Sequence, residues 1–436
     1  MKWIYLIPLV LLPFPVSGLA DSVLECPAVQ RPVTLSRGPY IQMLTPTSVI
    51  LRWRTDEPVT GAVLSYRDDG SERSIQSGPV TTEHTAELTG LEPARTYRYE
   101  ICGLRRDARR QARMHFRTAP PAGSEADTRI WVIGDSGTAN REARQVFEQY
   151  KALTGTAHTD VWLMLGDNAY PAGTDKQYQA AVFDMYSALL PNTALWAVLG
   201  NHDARSSDHA AGTGPFFEIF DLPTAGEAGG VASGTESYNA FDYSNIHFVA
   251  LDTEGLDEGL DNEMLQWLEA DLAANSQTWT IAYMHHPPYS SGTHESDTSE
   301  PLIPVRENIV PLLEHHDVDL VLAAHSHGYE RSYLMTGHYG ESSTFDAARH
   351  VLDDSDGDPR RGGYRKNWER TPYGGTVYAV VGSSGQIEHA SLDHPALPVA
   401  AQALGSMVIE VSGNHLDARA IGATGQIIDR FRIVKE

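Results

Sequence analysis

Val161-Trp162-Leu163-Met164-Leu165, followed directly by Gly166-Asp167-Asn168-Ala169-Tyr170, is the stretch that decides how this chain is read. An apolar run of strand length ending in Gly-Asp delivers a carboxylate to the carboxyl end of a buried strand, the edge at which open α/β sheets place their ligands. The same construction returns along the chain. Ile130–Ile133 runs into Gly134-Asp135-Ser136-Gly137, and Leu195–Leu199 into Gly200-Asn201-His202-Asp203. Further on, Ile281–Met284 runs into His285-His286-Pro287, and Val318–Ala324 into His325-Ser326-His327. Asp135, Asp167, Tyr170, Asn201, His285, His325 and His327 are thus strand-end oxygen and nitrogen donors of the kind that hold a metal.

Taken singly, each has a plain explanation: Gly-Asp is commonly a turn or a helix cap, and an isolated histidine is commonly a satisfied polar group. Recurrence changes that reading, because a parallel sheet brings successive strand ends into one crevice. Seven donors exceed what a single catalytic zinc takes beside its open position, so two cations are expected. A carboxylate can span two cations roughly 3.5–4 Å apart, and Asp167 is the candidate bridge. His325 and His327 would point to the same side of an extended stretch, with a kink giving one ring to each cation.

Strands and amphipathic helices alternate around these segments, the texture of an α/β fold. Helices are expected over Arg141–Leu153, Lys176–Leu190, Asn262–Ala274 and Val305–His315, the third with Met264, Leu265, Leu268 and Leu272 at helical spacing. Further strands are expected at Ile246–Leu251, Val377–Val381, Met407–Val411 and Ile427–Ile433. Gly337–Gly375 lacks periodicity and reads as a surface excursion over the site mouth. Upstream, Arg37–Thr118 is all-β: Val49, Leu51 and Trp53 alternate with polar neighbours, as do Tyr97, Tyr99 and Ile101. Asp69-Gly70 is a hairpin turn, and Leu91, Pro93 and Tyr97 have the spacing of a tyrosine corner. These features predict a small β-sandwich of the fibronectin type III kind, joined through the linker Ala119–Ser124.

The 436 residues carry a formal charge of −24, which argues against nucleic acid as a partner, since that backbone demands clustered Lys and Arg. Lys2, the apolar run Trp3–Val16 and the small residues Gly18 and Ala20 read as a secretory signal cleaved after Ala20. The apolar part is shorter than the roughly 20 residues of a membrane span, so no span is expected in the mature chain, which would be periplasmic or secreted. Export would admit a disulfide between Cys26 and Cys102; free thiols and an intermolecular pair stay open, because spacing does not choose among them.

Gly134-Asp135-Ser136-Gly137, Gly166-Asp167-Asn168-Ala169-Tyr170, Gly200-Asn201-His202-Asp203, His285 within Tyr283–Pro287, and Ala324-His325-Ser326-His327 resemble the five ordered blocks of the purple acid phosphatases, within the calcineurin-like metallophosphoesterases. The tyrosine inside the second block sets that family apart from most other metallophosphoesterases. After the signal read over 1–20, the resemblance implies a fibronectin type III-like sandwich over 21–120 and a layered αββα metallophosphoesterase domain over 127–436. It implies Fe3+ held by Asp135, Asp167, Tyr170 and His327, and Fe2+, Zn2+ or Mn2+ held by Asp167, Asn201, His285 and His325. A phenolate suits a trivalent ion, and its charge-transfer band would colour the protein.

The implied activity is that of an acid phosphatase acting on small phosphate monoesters, through in-line attack by a metal-activated hydroxide without a phosphoenzyme. His202 would stand beside substrate, with Asp203 behind it fixing the ring's tautomer. His294 would be a second substrate-side histidine and His286 a neighbour of the site. The last block departs from the family in having Ala324 where glycine is usual; Ala is harmless there if the backbone is extended. Arg331 matches the family's continuation in a structural role. A phosphodiesterase on the same scaffold is the nearest rival, with the loops Ser206–Gly214 and Gly337–Gly375 choosing the substrate. A non-catalytic surface-binding protein is the rival of another class, and the complete donor set speaks against it.

Overall fold

A computed structural model describes residues 24–27, 31–105, 114–254, 256 and 261–436, so the expected signal segment lies outside the described residues. Five strands come first: β1 (Leu35–Gln42), β2 (Ser48–Arg67), β3 (Ser74–Thr89), β4 (Thr96–Ile101) and β5 (His115–Arg117). The 20-residue β2 changes partner along its length, pairing with β1 in its first half and β4 in its second, while β3 follows both halves. This bend folds the ribbon over Val49, Leu51, Trp53, Tyr97, Tyr99 and Phe116, the alternating apolar positions. Gly70 N–H donates to Arg67 O at 2.8 Å in the expected hairpin, and the Tyr97 hydroxyl accepts from Glu92 N at 3.0 Å, as a tyrosine corner does. Cys26 and Cys102 are joined across a separation of 76 residues, a loop whose closure restricts the unfolded chain by about 4 kcal/mol.

The remaining chain builds two facing sheets. Strands β6 (Thr128–Ile133), β7 (Val161–Met164) and β8 (Ala194–Ala197) run parallel in register. The opposing sheet holds β9 (Asn239–Tyr243), β10 (Ile246–Ala250), β11 (Trp279–Tyr283) and β12 (Leu320–Ala323). It is completed by β13 (Tyr329–Arg331), β14 (Val377–Val381) and β15 (Val399–Ala401). Period two assigns its faces: Ile281, Tyr283, Leu320, Leu322, Val377 and Ala379 enter the cluster between the sheets, while Ala282, Val321 and Tyr378 join the outer one. Trp196 of β8 stacks on Phe241 of β9 with ring centroids 3.7 Å apart, bridging the two sheets.

Helices close both outer faces. Helix α1 (Arg141–Thr154) is capped by Asn140, whose side chain accepts from Ala143 N at 2.8 Å, and it buries Val146, Phe147 and Tyr150, the last stacked 4.3 Å from Trp131. On the far side, α2 (Asp261–Ala274) packs Met264, Leu268 and Leu272 against Val305, Ile309 and Leu313. The layers are therefore helix, sheet, sheet, helix. Two expected helices are interrupted. Asp175–Tyr178 opens into wide turns over Gln179–Asp184, and Val305–Ile309 is likewise wide before Val310–His315, where Pro311 has no N–H to continue the ladder.

The N-terminal strands are not tethered at arm's length. Ile41 of β1 pairs with Ala194 of β8, so a sheet of 12 strands among the described residues runs through both parts of the chain. Arg37 and Arg54 both bind Asp175, at 2.8 and 2.9 Å, and the expected linker is packed: Ala119 is buried and Gly123 N–H donates to Ser244 O.

Gly337–Gly375 also departs from expectation. It contributes Tyr364–Lys366 to the edge of the larger sheet, and Lys366 pairs with Asp317 at 3.0 Å and Asp319 at 2.8 Å. These partners lie at the amino end of β12, opposite His325. The segment's start meets the loop just beyond His294, where Ser342 N and Oγ donate to the Asp297 carboxylate. The buried Lys needed acidic partners, and those sit at the other edge.

A second buried charge cluster gives the fold a pH dependence. His247 in β10 lies between Asp242 at 2.8 Å and Asp271 at 2.7 Å; burial works against its charge, but the two carboxylates hold its pKa up at about 9. A folded value above the unfolded one stabilises fully below the ordinary histidine pKa and is lost as pH rises through about 9. The loss expected between those limits is about 3 kcal/mol. Thermal midpoints at pH 6 and pH 9.5 check it: His247→Gln should abolish this part of the difference, and an unchanged difference would contradict the clamp.

Candidate metal centre

Because β6, β7 and β8 are in register, the turns Gly134-Asp135, Gly166-Asp167 and Gly200-Asn201 emerge side by side. The registered ends of β11 and β12 bring His285 and His325 across from them. Sequence reasoning treated the donor-bearing strands as one parallel sheet; they belong to two, and the crevice lies where the carboxyl ends of both sheets meet.

Three donors gather on one side. Tyr170 Oη lies 2.9 Å from Asp135 Oδ1 and 3.3 Å from His327 Nε2, which is itself 3.4 Å from the same carboxylate oxygen. A second trio sits beside it. Asn201 Oδ1 is 3.1 Å from both His285 Nε2 and His325 Nδ1, and those two nitrogens are 3.2 Å apart. Asp167 stands between the trios: its Oδ1 is 3.7 Å from His285 Nε2, and Asp135, Asp167 and His285 each bring a donor atom within 4.8 Å of the others. All seven residues expected at the site are therefore together.

The backbone is bent to achieve this. Asp135, Asp167 and His325 take φ of 52°, 52° and 64°, the left-handed region that costs a non-glycine residue free energy and that clusters at functional sites. Glycine is needed where turns touch: a Cβ on Gly200 would collide with the Asp167 backbone and carboxylate, and one on Gly134 with Ala324 Cβ. Ala324 is not among the positive-φ residues, and its methyl occupies the space that Gly134 leaves open. His325-Ser326-His327 is not extended either. Successive bonds from Ser326 N to Ala324 O and from Gly328 N to Ser326 O turn the chain twice, sending His325 to the second trio and His327 to the first.

Donor chemistry fits a cation better than an unoccupied polar core. His285 Nδ1 donates to Leu165 O at 2.9 Å, which leaves the Nε2 lone pair facing Asn201 and His325. Burial, then Asp135 and Asp167, push the Tyr170 phenol far above its ordinary pKa, so without a strong Lewis acid it stays protonated. Burial works against the Asp135 carboxylate, yet the His327 hydrogen bond and the neighbouring imidazoles hold it below the usual range. Seven acceptor-rich groups packed this closely need positive charge among them.

The three residues expected on the substrate side fare differently. His202 is at the cluster, its ring 4.4 Å from that of Tyr170 and its Nε2 3.9 Å from Asp167 Oδ2. His294 stacks on His325 with centroids 3.8 Å apart. Asp203 does not orient His202. It is buried, and its carboxylate accepts from Asn168 Nδ2 at 2.9 Å, Gly200 N at 3.1 Å and the Tyr178 hydroxyl at 2.7 Å. Burial and then Asp167 raise Asp203 to about 7. The group that fixes the His202 tautomer is the Pro171 carbonyl, which accepts from Nδ1 at 2.8 Å. Adjacent residues in a tight turn point apart, so the Asp next in sequence faces inward while the His faces out.

His286, expected beside the site from its block, is joined there by residues that carried no motif. His286 Nδ1 lies 2.9 Å from Thr253 Oγ1, its Nε2 3.4 Å from Glu254, and its ring 4.4 Å from that of His325. Beyond β14, Gln386 Nε2 lies 3.1 Å from His327 Nε2 and Glu388 3.3 Å from His327 Nδ1, while Asn140 Nδ2 donates to Gly385 O. One signal for that loop was present: Val377–Val381 ends in Gly382-Ser383-Ser384-Gly385, another apolar run breaking into glycine.

Comparison with known proteins follows the same division of the chain. The calcineurin-like phosphoesterase profile matches residues 128–329, and the profile of the purple acid phosphatase N-terminal domain matches residues 38–118. Purple acid phosphatase 15 of Arabidopsis thaliana is 26% identical over 344 residues, covering 71% of this chain and 55% of the relative. A purple acid phosphatase of Glycine max is 25% identical over 311 residues, covering 65% of this chain and 62% of that one. The chain thus spans little more than half the length of these curated relatives. The structure of purple acid phosphatase PPD1 from yellow lupin (Lupinus luteus) superposes with a TM-score of 0.66 at 17% identity, over 93% of this chain and 74% of that one, and shares the fold. With both profiles matched in order, and the phosphoesterase profile spanning every strand-end block from Asp135 to His327, the chain carries a calcineurin-like phosphoesterase domain behind a purple acid phosphatase N-terminal domain and is similar to the purple acid phosphatases across both.

Proposed function

We propose that this chain is an exported acid phosphatase that hydrolyses small phosphate monoesters at a pair of cations. One observation carries the reading: Asp135, Tyr170 and His327 crowd within 3.4 Å of one another, Asn201, His285 and His325 within 3.2 Å, and Asp167 faces both groups. The first trio with Asp167 would hold a trivalent iron, which the phenolate favours, and the second with Asp167 a divalent iron, zinc or manganese. When bound, such a pair acidifies water and neutralises charge on phosphoryl oxygens.

The chain's own groups then divide the work. His202, held through Nδ1 by Pro171, presents Nε2 toward Asp167 Oδ2 and can carry the proton that a leaving alkoxide needs. His294, on the other side above His325, offers a second donor to a phosphoryl oxygen. Asp203 acts one step back, tying Asn168 and Gly200 together so that the turns bearing Asp167 and Asn201 keep their separation. The catalytic unit would extend over 127–436, since the last strands, Gly405–Ser412, His415–Gly422 and Ile427–Lys435, complete the sheet that carries β6. Export is supported by the Cys26–Cys102 disulfide, and among the described residues no helix is long and apolar enough to cross a membrane.

Metal quantification with rates on 4-nitrophenyl phosphate and its bis-ester tests this reading. Two cations per chain and a preference for the monoester are expected. Preference for the bis-ester would make the chain a phosphodiesterase, and absence of bound metal with no activity after reconstitution would leave a binding protein.

A further inference from the structure

Glu330 follows directly on the turn that carries His325 and His327, in the middle of β13, and is 1% exposed. A carboxylate in the interior is costly unless every oxygen is bonded. Its partners come from the segment leading to His294. Ser290 Oγ donates to Oε2 at 2.5 Å, and Ser291 N and Oγ donate to Oε1 at 3.0 and 3.3 Å. Ser290 Oγ also lies 2.8 Å from Ser326 Oγ, the residue between the two histidines.

The next residues continue the seam. A Cβ on Gly292 would overlap Ser326 Oγ, so only glycine lets the loop lie this close to the turn. His327 N donates to Thr293 Oγ1 at 3.2 Å, and His294 then stacks on His325 at 3.8 Å. Glu330 reaches the donor turn through these serines.

We propose that Glu330 is a positioning residue: through Ser290 and Ser291 it clamps the loop Ser290–His294 onto the His325–His327 turn and so sets where His294 meets the substrate. This rests on the phosphatase reading above. Displacing a substrate-side group by about 1 Å can cost a hundredfold in rate, which sets the scale expected.

The test uses the full chain with both metal positions filled, and compares Glu330→Ala, Glu330→Gln, Ser290→Ala and His294→Ala with the corresponding double variants. Glu330→Ala should lower kcat/KM about a hundredfold while two cations per chain are retained. Glu330→Gln should recover most of the rate, since its amide can accept from Ser291 and donate to Ser290. Combined with His294→Ala, neither Glu330→Ala nor Ser290→Ala should slow the enzyme further, because the group they position is gone. Losses that multiply in the double variants, or loss of cations in Glu330→Ala, would overturn the proposal in favour of an effect on the fold or on His325 and His327. If Glu330→Ala fails to fold, the Ser290→Ala cycle decides. A second readout is independent of turnover: diethyl pyrocarbonate should modify His294 several-fold faster in Ser290→Ala than in the parent, and equal rates would count against the clamp. An inactive parent protein would sink the phosphatase reading and leave the labelling result to judge Glu330.

Discussion

Asp167→Asn should lose both cations and, with them, nearly all activity. The substitution keeps size and one carbonyl oxygen, so the 2.8 Å bond from His202 N to Asp167 Oδ1 can persist and the fold should survive. What disappears is a full negative charge between two positive ones. At an effective dielectric constant of 20 and a separation of 4 Å, about 4 kcal/mol of attraction is lost per unit of cation charge, so each ion loses at least about a thousandfold in affinity. The effect falls on both positions because Asp167 faces Tyr170 on one side and His285 on the other. Elemental analysis after gel filtration checks the outcome. Two ions still held per chain would show that Asp167 does not bridge.

Tyr170→Phe should abolish visible absorption without unfolding the protein. The hydroxyl bonds Asp135 Oδ1 at 2.9 Å, so Phe removes a hydrogen bond and leaves the ring tilted against that of His202. Burial and the Asp135 and Asp167 carboxylates keep the phenol protonated well above neutral pH, and only a strongly Lewis-acidic ion could displace that proton. Loading the parent apoprotein with ferric ion should therefore release one more proton than loading Tyr170→Phe, readable by pH-stat titration. An unaltered spectrum in the variant would remove Tyr170 from the metal's surroundings.

Much of the site was legible because its chemistry is local. A buried strand has to end, glycine is required where two such ends touch, and the next residue must then face the crevice; Gly134-Asp135, Gly166-Asp167 and Gly200-Asn201 obey that rule in order. The same logic failed one residue later. His202 and Asp203 are adjacent in sequence and read as a pair, but the turn points them apart, and the carboxylate's partners are Asn168, Gly200 and Tyr178. Neither the Pro171 carbonyl behind His202 nor the Thr253 hydroxyl beside His286 leaves a mark in composition or spacing, since a hydrogen bond between distant segments depends on where the backbone passes.

Sequence by itself determined the strand-end donors, the alternation of strands and helices, the all-β beginning and the family likeness, because periodicity, turn residues and motif order are properties of short segments. Tertiary structure alone decided that the donors come from two facing sheets, that β1 extends the sheet of β8, and that Tyr364–Lys366, within Gly337–Gly375, adds a strand to the edge of the larger sheet. Those outcomes depend on which apolar faces bury one another and which buried charges find partners, and both are settled only when remote parts of the chain compete for the same space.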